Sequence, residues 1–99
     1  MQHNYFVYIL TNITKAVLYT GVTNDLKRRV DEHVKGLNSK AFTSKYKCYN
    51  LIFFERFQNI EHAIAQEKRI KGWSRKKKEL LINGFNPSWT FLNKEINDI

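Results

Sequence analysis

The sequence predicts an α+β fold in which a small antiparallel three-stranded sheet is flanked by helices, in the order β-β-α-β-α-α. Two runs of β-branched and aromatic residues lie close together near the N-terminus, and a third lies near the middle of the chain. Segments with helical periodicity follow the second and third runs. The 99 residues suit one ordinary domain, which we expect over residues 1–90, with a C-terminal tail over residues 91–99.

The first two strands are predicted to form a β-hairpin from residues 5–10 and 17–20, joined by a loop at residues 12–15. A loop of this length pairs Tyr8 with Tyr19, and directly opposed residues share one face of a sheet. We therefore expect the two phenol rings to lie side by side.

The first helix is predicted to begin after a cap at Thr23 or Asn24 and to end near Lys35, where Gly36 stops it. Its buried stripe consists of apolar residues at helical spacing, which are Leu26, Val30, Val34 and Leu37.

Two polar side chains lie along one edge of this stripe. Arg29 and His33 are four residues apart, so they share one side of the helix. Both can lean over the neighbouring sheet, which would bring a guanidinium and an imidazole close to the hairpin.

The middle of the chain is predicted to be a loop over residues 37–47 and a third strand over residues 49–57. Asn59 then opens a second helix that ends near Lys71, before Gly72. A third, short and basic helix follows from a cap at Ser74 and ends at Gly84, and residues 86–89 form a turn.

The second helix carries a carboxylate on its inward side. At helical spacing Glu67 falls in the middle of an apolar face made by Ile60, Ala63, Ile64 and Ile70. A buried carboxylate must be protonated, paired with a base or bound to a cation. Two alternatives stay open: a structural ion pair with a neighbouring Lys or Arg, and a metal ligand at the mouth of a cleft.

The charge balance indicates a polyanionic partner. The chain has 17 Lys and Arg residues against nine Asp and Glu, a net charge of +8, and nucleic acid is the commonest partner of such proteins. A dense basic cluster indicates a phosphate-facing surface and consists of Lys68, Arg69, Lys71, Arg75, Lys76, Lys77 and Lys78. The alternative is a basic surface that serves only solubility.

Cysteine usage and the N-terminus indicate the compartment. Cys48 is the single cysteine, so it has no disulfide partner within the chain. The first residues lack a basic region followed by an apolar stretch. We therefore expect a cytoplasmic protein with no signal peptide and no membrane span.

Two tripeptides, Val7-Tyr8-Ile9 and Tyr19-Thr20-Gly21, together with four later residues, resemble the motifs of the GIY-YIG nucleases. The later residues are Arg29, His33, Glu67 and Asn86. The resemblance covers roughly residues 4–90 and is nearest to the stand-alone bacterial subgroup of these endonucleases.

The resemblance implies an endonuclease, dependent on Mg²⁺ or Mn²⁺, that hydrolyses phosphodiester bonds of DNA in repair or recombination. By resemblance, Glu67 holds the metal ion, and Tyr8 activates the attacking water with help from the cation. Arg29 binds the phosphate, because a planar guanidinium can donate hydrogen bonds to two phosphate oxygens at once. Tyr19 positions the water or phosphate, and His33 donates a hydrogen bond or a proton. Asn86 supports the site.

Two other functions remain as hypotheses. A nucleic-acid binding module could keep the fold and the basic face without catalysis, although it would have no reason to retain an inward carboxylate such as Glu67. A purely structural partner protein is the third hypothesis. We expect a monomer or weak dimer.

Overall fold

The computed structural model describes residues 4–36 and 42–99. It has three strands, β1 (Tyr5–Thr11), β2 (Leu18–Thr23) and β3 (Asn50–Phe57). The helices are α1 (Leu26–Lys35), α2 (Phe42–Lys45), α3 (Ile60–Lys71) and α4 (Arg75–Phe85), and a single 3-10 turn covers Asn93–Ile96. The predicted α+β fold class is confirmed.

The sheet is antiparallel with the order β2-β1-β3, so β1 lies in the centre. The predicted hairpin register was wrong by two residues: Tyr8 pairs with Gly21, and Leu10 pairs with Tyr19. The loop is longer than expected because the Asn12 side chain accepts hydrogen bonds from the Ala16 and Val17 amides. An even shift preserves the faces of a strand, so both phenol rings still lie on one side.

Each face of β1 buries its own apolar cluster. Alternate residues of a strand point to opposite faces, and β1 is buried from Phe6 to Thr11. One layer packs α1 and the C-terminal segment against the sheet, with core residues Phe6, Tyr8, Leu10, Leu26, Val30, Cys48, Leu51, Leu92 and Ile96. The other layer packs α3 and α4, with core residues Val7, Ile9, Ile52, Phe53, Ala63, Ile70 and Ile82.

The ends of α1 follow local hydrogen bonding. Asp25, and not Thr23 or Asn24, caps the helix, because its carboxylate accepts the Arg28 amide at 3.2 Å. Gly36 stops the helix as predicted, in the left-handed conformation with φ of 63°. Of the predicted stripe, Leu26 and Val30 are buried but Val34 is 48% exposed, and Leu37 lies outside the described residues.

The predicted caps of the later helices are confirmed. The Asn59 side chain accepts hydrogen bonds at the start of α3, and Ser74 does so at the start of α4. Among residues 4–36 and 42–99, no helix is long and apolar enough to cross a membrane.

A short helix, α2, occurs where the sequence predicted only loop. It has four residues, too few for a helical period to stand out. Its position is fixed by Thr43, which is buried and whose carbonyl accepts the Cys48 amide at 2.8 Å.

The C-terminal segment packs on the sheet. Leu92 and Ile96 are buried in the layer that contains α1. The Leu92 amide donates to the Leu51 carbonyl at 2.7 Å, and the Asn93 side chain accepts the Leu51 amide at 2.8 Å. β3 is an edge strand of the sheet. These bonds therefore satisfy backbone groups of β3 that the edge would otherwise leave unpaired. The division of the chain at residue 90 stays a prediction.

Asn86 ties the end of α4 to the sheet. Its side-chain amide donates to the Ile52 carbonyl at 3.0 Å and to the Thr90 carbonyl at 2.8 Å, and its oxygen accepts the Thr90 amide at 3.1 Å. Because Asn86 is only 7% exposed, water cannot readily replace these bonds.

We expect Asn86→Ala to lower the free energy of unfolding by about 2 kcal/mol, since it leaves buried backbone groups without partners. Urea denaturation measures the change. Asn97→Ala is the control, because exposed Asn97 makes a single bond to the Lys94 carbonyl. Equal stability losses for the two variants would contradict the assigned role of Asn86.

Candidate active site

Tyr8 lies at the centre of the candidate site, inside the protein. Its side chain is completely buried, and its register partner on β2 is Gly21. A Cβ at position 21 would collide with the Tyr8 hydroxyl and with Cζ of its ring. The phenol therefore extends across β2 toward the free edge of the sheet, and only glycine at position 21 leaves room for it.

His33 connects this hydroxyl to α2. Its Nε2 lies 3.1 Å from the Tyr8 hydroxyl, and its Nδ1 lies 2.8 Å from the Thr43 hydroxyl. With both ring nitrogens engaged, the imidazole is held in one orientation. Thr43 is 2% exposed, so this bond is protected from water.

Arg29 lies on the same side of α1 as His33, one turn before it. Its guanidinium interacts with the Tyr8 hydroxyl and with the Glu32 carboxylate at 3.5 Å. The Arg29 side chain is 46% exposed, so part of it remains available to an anion from solvent. Arg29 and His33 thus both approach the hairpin, as predicted.

Tyr19 completes the ring cluster. Its ring centroid lies 6.3 Å from that of Tyr8 and 5.6 Å from that of His33. The structure therefore brings together four of the six predicted catalytic residues, on one face of the hairpin.

Burial sets the protonation states in this cluster. Burial raises the pKa of Tyr8 to about 12; interaction with Arg29 opposes the rise, and the charges of Tyr19 and Glu67 add to it. Burial and the positive charge of Arg29 lower the pKa of His33, and Glu32 opposes them. At pH 7 the phenol is therefore protonated and the imidazole is neutral.

Glu67 belongs to the opposite layer. It lies on α3, whose buried residues Ala63 and Ile70 pack on the far face of the sheet. Its side chain is 14% exposed, and its Oε2 lies 3.1 Å from the Lys71 ammonium. The ion pair anticipated as one alternative is thus present. The negative charge of Glu67 is the weakest of the influences on the pKa of Tyr8, which it raises.

The carboxylate of Glu67 is a sparse metal site. Over the described ranges, no group of three or more His, Cys, Asp or Glu side chains could hold a metal ion. Mg²⁺ in nucleic-acid enzymes keeps several waters and needs one or two carboxylates together with substrate phosphates. Among the described residues, the ion pair with Lys71 engages Oε2 of Glu67 and leaves the other carboxylate oxygen for a cation. The site therefore suits a Mg²⁺ ion that keeps several waters and also binds substrate phosphates. It does not suit an ion enclosed by protein ligands.

Asn86 is not brought to the cluster. It binds the backbone of β3 at Ile52, and β3 and β2 are opposite edges of the sheet. The hydrogen bonds of the Asn86 side chain join α4, β3 and the segment after α4. Its catalytic role stays a prediction, and none of these bonds reaches Tyr8, Tyr19, Arg29 or His33.

The basic cluster is partly engaged within the protein. Arg75 donates to the Ala16 carbonyl at 2.7 Å and to the Lys15 carbonyl at 2.8 Å, and it pairs with Glu79. Arg75 therefore holds the β1–β2 loop in place, a role that the sequence did not predict. Lys71 pairs with Glu67.

The other basic side chains differ in their surroundings. Lys77 lies 4.5 Å from the centroid of the Trp73 ring, and Arg69 bonds to Gln66. Lys68 and Lys76 are exposed and Lys78 is half-buried. These five side chains remain candidates for contact with a phosphate backbone.

Two residues of the site escaped the sequence analysis. Thr43 lay in the predicted loop. The signal of a helical turn there was the spacing of Phe42 and Tyr46, two aromatic residues four positions apart. Gly21 was recognised only as the last residue of the Tyr19-Thr20-Gly21 tripeptide, and the need for a glycine there became visible once the true register placed Tyr8 opposite.

Comparisons with known proteins bear on the family and the fold of this chain. The model of the GIY-YIG catalytic domain matches residues 4–80. A UPF0213 protein of Bacillus pumilus is 38% identical over 81 residues, 82% of this chain and 81% of the relative. A UPF0213 protein of Natronomonas pharaonis is 38% identical over 82 residues, 83% of this chain and 94% of the relative. The solution NMR structure of a UPF0213 protein from Bacillus halodurans has a TM-score of 0.57 and 28% identity, covering 96% of each chain.

We expect the His33 ring to titrate with a midpoint below the ordinary value of 6.5, because burial and Arg29 disfavour the imidazolium. NMR titration of its ring protons measures the midpoint. Arg29→Gln should raise it, since the opposing positive charge is removed. A midpoint above 6.5 in the unaltered protein would contradict this effect of burial and of Arg29.

Proposed function

The chain belongs to the GIY-YIG nuclease family, and on that basis we propose that it is a divalent-metal-dependent endonuclease that hydrolyses phosphodiester bonds of DNA, in repair or recombination. Members of the family act on nucleic acid and generally use divalent metals. The observation that carries the proposal is the meeting of Arg29, His33 and the buried Tyr8 hydroxyl beside Gly21.

Arg29 would bind the scissile phosphate. A guanidinium can hold two phosphate oxygens at once, and about half of this side chain is accessible to solvent. Because the Tyr8 side chain is fully buried and Arg29 interacts with its hydroxyl, a turn of Arg29 toward the phosphate would open a path for water to that hydroxyl. Substrate binding would thus expose the base.

Tyr8 and His33 would act together on the attacking water. With a pKa of about 12, the free phenolate is present at pH 7 in roughly one molecule in 10⁵. A neutral imidazole at 3.1 Å would avoid a free phenolate, because His33 can take the Tyr8 proton as Tyr8 takes a proton from water. The water oxygen then attacks phosphorus, the ester bond breaks, and the leaving oxygen is protonated from solvent.

Glu67 would hold the metal ion, Mg²⁺ or Mn²⁺, through a carboxylate oxygen. When bound, such an ion supplies positive charge to the phosphate and the leaving oxygen. Lys71, paired with Glu67 at 3.1 Å, is half exposed and free to turn outward when the ion binds. Tyr19, beside both rings, would orient the phosphate.

The remaining basic side chains on α3 and α4 would hold the flanking DNA backbone. Each contact with a phosphate releases counterions, so binding should weaken as salt rises. Lys68 and Lys76, both exposed, are the best placed for this. We propose that a monomer performs the reaction, in the cytoplasm.

A second candidate function is a DNA-binding module without catalysis. The Glu67–Lys71 ion pair favours it, because that pair already neutralises the carboxylate without a metal. This candidate predicts salt-sensitive binding of DNA in the absence of any cleavage.

We expect Glu67→Gln to reduce cleavage of supercoiled DNA in Mg²⁺ by at least about 10³-fold, since it removes the acidic metal ligand and keeps the side chain's shape. Removal of Mg²⁺ with a chelator should have the same effect on the unaltered protein. Gel assays of nicked product measure both.

Glu61→Gln is the matched control, because Glu61 is an exposed carboxylate on the same helix. Full activity of the Glu67 variant would refute the role of this residue. DNA binding by every variant with no cleavage by any would select the binding module.

A further inference from the structure

Helix α2 presents two aromatic rings to solvent beside the candidate site. Phe42 is 45% exposed and Tyr46 is 40% exposed, and their ring centroids lie 4.5 Å apart. Thr43, between them in sequence, faces inward and bonds to His33. One face of this short helix therefore serves the site, while its two aromatic residues are each a little under half exposed.

The exposed rings continue the ring cluster of the site. The Phe42 ring is stacked on Tyr19, with centroids 6.0 Å apart and 27° between the ring planes. Tyr19 in turn contacts His33 and Tyr8. An unbroken series of aromatic contacts thus runs from the buried phenol to the protein surface.

Positive charge accompanies these rings. The Lys45 ammonium lies 5.4 Å from the centroid of the Tyr46 ring, and the chain as a whole carries +8. Proteins that bind single-stranded nucleic acid combine aromatic rings, on which bases stack, with cations that contact the phosphates. The neighbouring Lys45 cation and the continuity with Tyr19 favour a nucleic acid over a protein partner.

We infer that Phe42 and Tyr46 form a stacking surface for an unpaired base of single-stranded DNA, next to the phosphate that Arg29 binds. Bases of a duplex already stack on both faces, so a duplex cannot use this surface without losing a base from its stack. The inference rests on the proposed function, because it names the form of DNA that the same site accepts.

The test compares binding of single-stranded and duplex DNA in the absence of metal. Fluorescence anisotropy with a labelled 12-nucleotide strand, and with its duplex, gives both affinities in a chelating buffer. We expect the double variant Phe42→Leu/Tyr46→Leu to bind the single strand roughly 5–100-fold more weakly. Its affinity for the duplex should stay unchanged within about twofold, since phosphate contacts remain.

Phe85→Leu is the matched control. Phe85 is 46% exposed but contacts Phe53 and Phe54 on β3, the edge strand opposite β2. It should bind both forms of DNA like the unaltered protein. If circular dichroism shows that the double variant fails to fold, Tyr46→Leu alone is used, because Tyr46 contacts Phe42 and lies farther from Tyr19 than Phe42 does. We then expect a smaller loss of affinity, confined to the single strand.

Three results would overturn the inference: an equal loss for single strand and duplex, no loss for either, or the same loss in Phe85→Leu. A dimer in the unaltered protein that dissociates in the double variant, seen by sedimentation, would assign the rings to self-association instead. Because binding is measured without metal, failure of cleavage in Mg²⁺ leaves this result unaffected and bears only on the proposed function.

Discussion

The close approach between the Tyr8 hydroxyl and the backbone at Gly21 is the constraint on which the whole site depends. A buried phenol on a central strand would ordinarily end within the core. Here it crosses the neighbouring strand, because position 21 has no side chain to stop it. The hydroxyl thereby reaches the free edge of the sheet, where α1 can supply His33 from one layer and the charge of Glu67 arrives from the other.

This arrangement explains how a group poorly suited to catalysis could serve. Burial raises the pKa of Tyr8 to about 12, which strengthens the phenolate as a base but makes it rare. The same burial lowers the pKa of His33, so a neutral acceptor lies within hydrogen-bonding distance of the proton that must leave. Thr43 fixes the ring that accepts it. Tyr8 and His33 are therefore best treated as a unit.

The sequence predicted the sheet, the larger helices and the grouping of Arg29 with His33, because periodicity and caps are local signals. It did not predict that Arg75 would hold a loop near residue 16, since that bond joins segments far apart in the chain. Glu67 was correctly assigned an inward position, but whether Lys71 or a metal neutralises it depends on side-chain geometry. The register of the hairpin was missed because an asparagine side chain, at Asn12, set the loop.

The proposed mechanism requires Glu67 and the Tyr8–His33 pair, which lie in opposite layers of the fold, to act on one substrate phosphate. Titration of the protein with Mn²⁺, a paramagnetic ion that broadens nearby NMR signals, tests it most directly. We predict broadening of the Tyr8 and His33 ring signals, abolished by Glu67→Gln. Broadening that leaves Tyr8 and His33 sharp, or that persists in the variant, would contradict the claim.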